Sequence, residues 1–146
     1  MYTVMLTCML LIASIFISSV DIARARQTLH DSEVTNVTLM LEQIGTFGSK
    51  YAQANAGTTS AVSFASAGAP SWFVAWPGAG LYVRAGTSYA YTPAANLRDP
   101  AGIVAKVREQ GLVAGVSSGT NLLDGLGNVV ASLPSGIPNN SVVVVQ

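Results

Sequence analysis

Residues 1–20, MYTVMLTCMLLIASIFISSV, decide how the rest of the chain is read. The run holds no Asp, Glu, Lys, Arg, His, Pro or Gly, although the 146-residue chain contains 14 Gly and 6 Pro. A helix of this length reaches about 30 Å, the thickness of a bilayer's hydrocarbon core, so the run predicts a transmembrane anchor. Asp21, Arg24 and Arg26 follow at once and end it where a helix would meet the headgroups. A cleaved signal peptide is the alternative. It would want basic residues ahead of the apolar core and small residues before the cut, whereas no Lys or Arg precedes this run and Ala23-Arg24-Ala25 is a poor match. A buried globular helix is a third reading, but such helices are ordinarily shorter. Thr7, Ser14, Ser18 and Ser19 fit a span because their hydroxyls can bond back to carbonyls four residues earlier. Cys8, the sole cysteine, has no internal disulfide partner and reads as a small packing residue.

Working outward from the run, the helical pattern continues. Ile22, Leu29, Val34, Val37, Leu41 and Ile44 recur at mostly helical spacings, and no Gly or Pro intervenes before Gly45. Val34, Val37, Leu41 and Ile44 form a stripe about 80° wide, the mark of a helix laid on a core. Gly48 falls on the same stripe, where a missing side chain would let a strand approach. Residues 21–31 differ: Arg24, Arg26, Gln27, His30 and Asp31 lie on several faces, so this stretch predicts a solvated stalk or a contact with a partner. Residues 21–56 are thus expected to form a stalk and then a core-packing helix.

Residues 57–146 predict one small β-rich domain. Seven basic and seven acidic residues give zero formal net charge, and only 10% of the chain is charged, so there is no basic footprint for nucleic acid. Strand-like runs occur at 61–64, 71–76, 81–84 and 88–92, with Pro77-Gly78-Ala79-Gly80 as a turn, which suggests an antiparallel meander. Trp72, Val74 and Trp76 would face one way and Phe73 and Ala75 the other. A short helix is punctuated over 99–110 by Asp99 as N-cap, Pro100 in the first turn and Gly111 beyond the end. Further strands are expected at 112–116, 120–123 and 128–131. Val142 to Val145 read as a strand buried on both faces, or paired beneath a helix. The fold class is therefore α+β, a long helix packed on a small antiparallel sheet.

Little in the chain points to chemistry. The single histidine, His30, lies on the predicted stalk, far in sequence from any plausible nucleophile turn. Gly78-Ala79-Gly80 and Gly125-Leu126-Gly127 lack the further glycine and helix of a dinucleotide fingerprint, and no phosphate-binding loop motif occurs. One Cys and one His do not make a common structural zinc site. No cofactor, metal or catalytic role is expected.

An apolar N-terminal run, a helix continuing to about residue 55 and a sheet rich in small residues form the layout of type IV pilins. Residues 40–57, MLEQIGTFGSKYAQANAG, resemble the end of a type IVb pilin helix entering its first loop. Prepilins carry a Gly ahead of the run and a Glu five residues into the mature chain, and neither is found here. The chain more closely resembles the PilM proteins of conjugative plasmid thin pili, in its layout and in its Val-rich tail with proline, GIPNNSVVVV at 136–145. The resemblance implies an inner-membrane, bitopic scaffold of thin-pilus biogenesis that supports conjugation. Its expected partners are the membrane, other assembly proteins, pilin or a second copy of itself. A minor pilin built into the fibre shares the layout. Arg24 and Arg26 after the run favour a cytoplasmic domain by the positive-inside rule, but the family layout argues for the periplasm, which we take as the expectation.

Overall fold

The computed structural model describes residues 2–146, and the side chains of residue 21 and residues 24–146. Helix α1 (Tyr2–Ala54) is followed by strands β1 (Thr59–Val62), β2 (Gly80–Arg84) and β3 (Thr87–Pro93), a short 3-10 turn, helix α2 (Pro100–Glu109), and strands β4 (Val113–Ser118), β5 (Asn121–Leu123), β6 (Val129–Ser132) and β7 (Ser141–Val145). The chain divides into two compact units, Met1–Glu33 and Val34–Gln146, and the division falls within α1. The expected span, residues 1–20, lies outside the residues whose side chains are described. Among the described residues no helix is long and apolar enough to cross a membrane.

In the second unit α1 is held by its buried face. Val37, Leu41, Ile44 and Ala52 are fully buried, and Val34, Phe47 and Tyr51 pack against the same cluster. Gly48 permits the contact: a Cβ there would stand 2.5 Å from Leu81 Cδ1 and 2.7 Å from Ser88 Cβ, inside van der Waals contact. Nearby, the Ser88 hydroxyl donates to the Gly45 carbonyl at 3.0 Å, tying β3 to the helix. α2 closes the same layer through Ile103, Val104 and Val107. Its N-cap is Asp99, whose carboxylate accepts from the Gly102 N–H at 2.8 Å. Its end is marked by Gly111 at φ +82°, a conformation that favours glycine. Lys106 of α2 donates to the Thr35 hydroxyl of α1 at 2.8 Å.

All seven strands form one antiparallel sheet in the order β1-β2-β3-β7-β4-β5-β6. The last strand is therefore central: Val143 opposes Tyr91 of β3 on one side and Gly115 of β4 on the other. Val142 and Val144 join the core beneath the helices. Val143 points to the opposite face, into a second cluster with Tyr89, Leu122, Leu133 and Ile137. That face is covered by the segment leading into β7, and a Cβ at Gly136 would run into the ring of Tyr82. Ser117 pins the segment, its hydroxyl donating to the Pro138 carbonyl at 2.7 Å and accepting from the Ser141 N–H at 2.9 Å.

The strand expected at 71–76 does not form, and β1 takes its place beside β2. The run is bracketed by Pro70 and Pro77, which lack the N–H a ladder needs. Two of its own donors are used outside any ladder. Phe73 N–H turns back to the Pro70 carbonyl, and Trp76 N–H meets the Met40 sulfur at 2.9 Å. Phe73 still packs inward, edge-on to Phe47 and Phe64 at 5.4 and 5.7 Å between ring centres, while Trp72 and Val74 are exposed.

Because β7 bridges two halves of the sheet and buries valines on both faces, its removal separates β3 from β4. Each buried Val contributes about 1.5–3 kcal/mol, comparable in sum to the whole stability of an ordinary domain. A chain ending at Asn140 is expected to lose its cooperative melting transition and its protease resistance. Leu41→Ala, which leaves every strand in place, is expected to lower stability by about 2–5 kcal/mol in denaturant titration.

Candidate functional site

In the first unit, the described side chains of α1 are those of Asp21 and residues 24–33. Arg24, Arg26, Gln27 and Asp31 are exposed, and His30 is half-buried. Thr28 turns its hydroxyl back to the Arg24 carbonyl at 3.0 Å, a bond within the helix that leaves the outer surface to longer side chains. Leu29 is 62% exposed, one turn from Arg26. An apolar side chain set beside guanidinium groups is a composition suited to a protein contact, since Arg combines a fixed hydrogen-bonding fork with a plane that stacks. The sequence brought Arg24, Arg26, Gln27, His30 and Asp31 to one helical stretch. Leu29 was counted with the apolar periodicity, and only the structure shows it standing in solvent.

The four core-face residues of the sequence reading lie on the other side of the unit boundary. Val37, Leu41 and Ile44 are wholly inaccessible and Val34 is half-buried, so they hold the helix and present no surface.

Elsewhere in the domain an open groove of about 340 Å³ is lined by Ala101, Val104, Ala105, Arg108, Asp124 and Leu126. Its polar groups are already engaged. Asp124 Oδ1 accepts from the N–H groups of Leu126 and Asn128 at 2.9 and 2.8 Å, and Oδ2 accepts from the Asn128 side chain at 3.1 Å. Arg108 stands 4.0 Å away. The Asn128 backbone and side-chain donors, followed by the Leu126 N–H and the Arg108 charge, hold the Asp124 carboxyl below the usual carboxylate range. Its use is structural: it ties the turn between β5 and β6. Tyr91, shielded in the sheet, is pushed upward by burial. Among the described residues no three His, Cys, Asp or Glu side chains cluster closely enough to hold a metal ion.

A helix seated on an antiparallel sheet, with a second short helix closing the same layer, defines an α+β protein. The comparisons make the class particular. The PilM family model matches residues 9–145, so the chain belongs to the PilM family. A crystal structure of a protein described as PilM from Pseudomonas aeruginosa 2192 is 31% identical, over 77% of this chain and 92% of that one, with a TM-score of 0.46. A second, described as PilM from Escherichia coli B7A, shares the fold at a TM-score of 0.56 with 15% identity, over 80% of this chain and 93% of that one. No curated protein matches.

A depressed carboxyl pKa contributes stability that is present above the unfolded value and lost as pH falls through the folded one. For Asp124 the window therefore lies below about pH 4. Acid is expected to loosen the β5–β6 turn there, seen as faster amide exchange at Leu126 and Asn128. Asp124→Asn should make exchange at those amides nearly independent of pH, once the intrinsic rate is divided out.

Proposed function

We propose that the chain is an inner-membrane component of a type IV thin-pilus assembly machine, a non-catalytic scaffold that supports conjugative transfer. Residues 1–20 anchor it, the domain lies in the periplasm, and residues 24–31 of α1 bind another subunit of the basal complex. The observation that carries the reading is the use of one helix for two purposes: Val37, Leu41 and Ile44 are buried in the domain, while Arg24, Arg26, Gln27 and Leu29 are exposed. The exposed charges of Arg24 and Arg26 and the exposed side chain of Leu29 stand together on one stretch of helix, and a contact uses the charges and the leucine together. Membership of the PilM family supports a pilus-related role. The run at 1–20 supports the anchor, because no Asp, Glu, Lys, Arg or His opposes its entry into lipid.

A minor pilin incorporated in the fibre is the second reading, favoured by the long helix on an antiparallel sheet. Recovery with sheared pili rather than with membranes would select it.

Arg24→Glu combined with Arg26→Glu is the test. Exposed charges contribute little to stability, so the double variant should keep its melting temperature and cellular level while thin-pilus assembly and liquid mating fall at least tenfold. Normal piliation and mating by that variant, at normal level and topology, would contradict a contact at this stretch.

A further inference from the structure

The helix layer of the domain stops before the sheet does. Strands lie about 4.8 Å apart, so one helix about 10 Å across covers two of them. α1 is seated on β2 and β3, where Gly48 meets Leu81 and Ser88, and α2 lies on β4 and β7. That leaves β5 and β6, the last two strands of the order. The register follows the shortfall across one face. Val142 of β7 opposes Val116 of β4, Val116 opposes Leu123 of β5, and Leu123 opposes Val129 of β6, beside a bulge that skips Val130. Directly opposed residues share a face, and Val142 belongs to the core beneath the helices. Exposure rises along this row: Val142 is fully buried, Val116 and Leu123 are half-buried, and Val129 is 60% exposed. The wall of the uncovered strip is α2. Lys106 turns toward α1, whereas Ala101, Val104, Ala105 and Arg108, at helical spacing, line the groove against Leu126, which is 87% exposed. Ala101 and Ala105 are exposed and end at Cβ, so another helix can come close.

We propose that this strip is a docking site for an amphipathic helix of another protein, laid beside α2 as the third helix of the layer. Three observations choose that occupant. The strip is apolar and two strands wide, the width of one helix. A second copy of the chain does not supply the helix: in the described parts of α1 and α2 the exposed large apolar side chains are Leu29 and Leu39, too far apart in sequence to form one stripe. The third observation is charge. Arg108 is ion-paired with Asp124 at 4.0 Å, too long for a hydrogen bond, while the Asp124 oxygens accept from their own turn. The planar guanidinium, with its fork of N–H donors, can therefore take a second carboxylate from the open side. The occupant carries Leu, Ile or Val at three- and four-residue spacing and an Asp or Glu flanking that stripe. The inference does not rest on the reading of residues 24–31.

The test is titration of the full-length chain in lipid nanodiscs with a synthetic peptide of about 18 residues, long enough to be helical. The peptide repeats Leu at three- and four-residue spacing with Glu beside the stripe. A second peptide has Lys in place of Glu, and a third scrambles the first. With the Glu peptide, amide shifts should saturate at Ala101, Ala105, Leu126 and Val129. The Lys peptide should bind at least fivefold more weakly, and the scrambled one should leave these amides unmoved. Ala105→Trp, which fills the strip from an exposed position, should weaken binding at least tenfold and leave the melting temperature unchanged. Arg108→Glu should reverse the preference between the Glu and Lys peptides; at one nanodisc composition, uptake of peptide by lipid cancels from that comparison. Shifts that do not saturate, that lie elsewhere or that survive Ala105→Trp would overturn the proposal. So would equal binding by the scrambled peptide, or an unchanged preference in Arg108→Glu. A dimer of the chain that Ala105→Trp dissolves would also overturn it, since a second copy would then fill the strip.

Discussion

The close seat of α1 on β2 and β3 is the contact from which the domain is built. Its conditions are specific: no side chain at Gly48, a small hydroxyl at Ser88 that can reach the Gly45 carbonyl, and three fully buried residues, Val37, Leu41 and Ile44, at helical spacing. A helix of 53 residues with only its C-terminal part so fastened has two differently supported stretches. From Val34 onward, burial determines where the helix lies. Before it, from Arg24 to Leu29, the described side chains are exposed.

The second constraint is topological. β7, the last element in sequence, occupies the middle of the sheet, and its valines face α1 and α2 on one side and the Tyr89 and Leu133 cluster on the other. Neither layer is complete until residues 141–145 are in place. The contacts that matter most are thus also the most distant in sequence, joining residues 37–48 to strands as late as 142–145, and such contacts cost loop-closure entropy before they repay it. The domain should fold late and as a unit.

How far this could be read in the sequence follows from the range of each interaction. The core face of α1, the Asp99 cap, the Gly111 terminus and the doubly buried valines all depend on neighbours within a few residues, and their patterns were legible. The place of β7 between β3 and β4 was not, because nothing local in SVVVV distinguishes a central partner from an edge one. The segment SWFVAW misled by composition: its aromatics favour a strand, but Pro70 and Pro77 take the flanking donors and Met40, distant in sequence, takes another. At the contact stretch the charges were legible from their polar circumference. The exposure of Leu29 was not, since it shares the period of the buried residues and only tertiary packing separates them.

Burial holds α1 from Val37 to Ala52, whereas the side chains from Arg24 to Leu29 are exposed. Native-state hydrogen exchange on the full-length chain tests it residue by residue, because amides that open only on global unfolding reveal which residues the core holds. The account predicts that amides from Val37 to Ala52 exchange with the full unfolding free energy, while those from Arg24 to Leu29 exchange through local opening at far lower cost. Equal protection along both stretches, or fast exchange at Leu41 and Ile44, would contradict it.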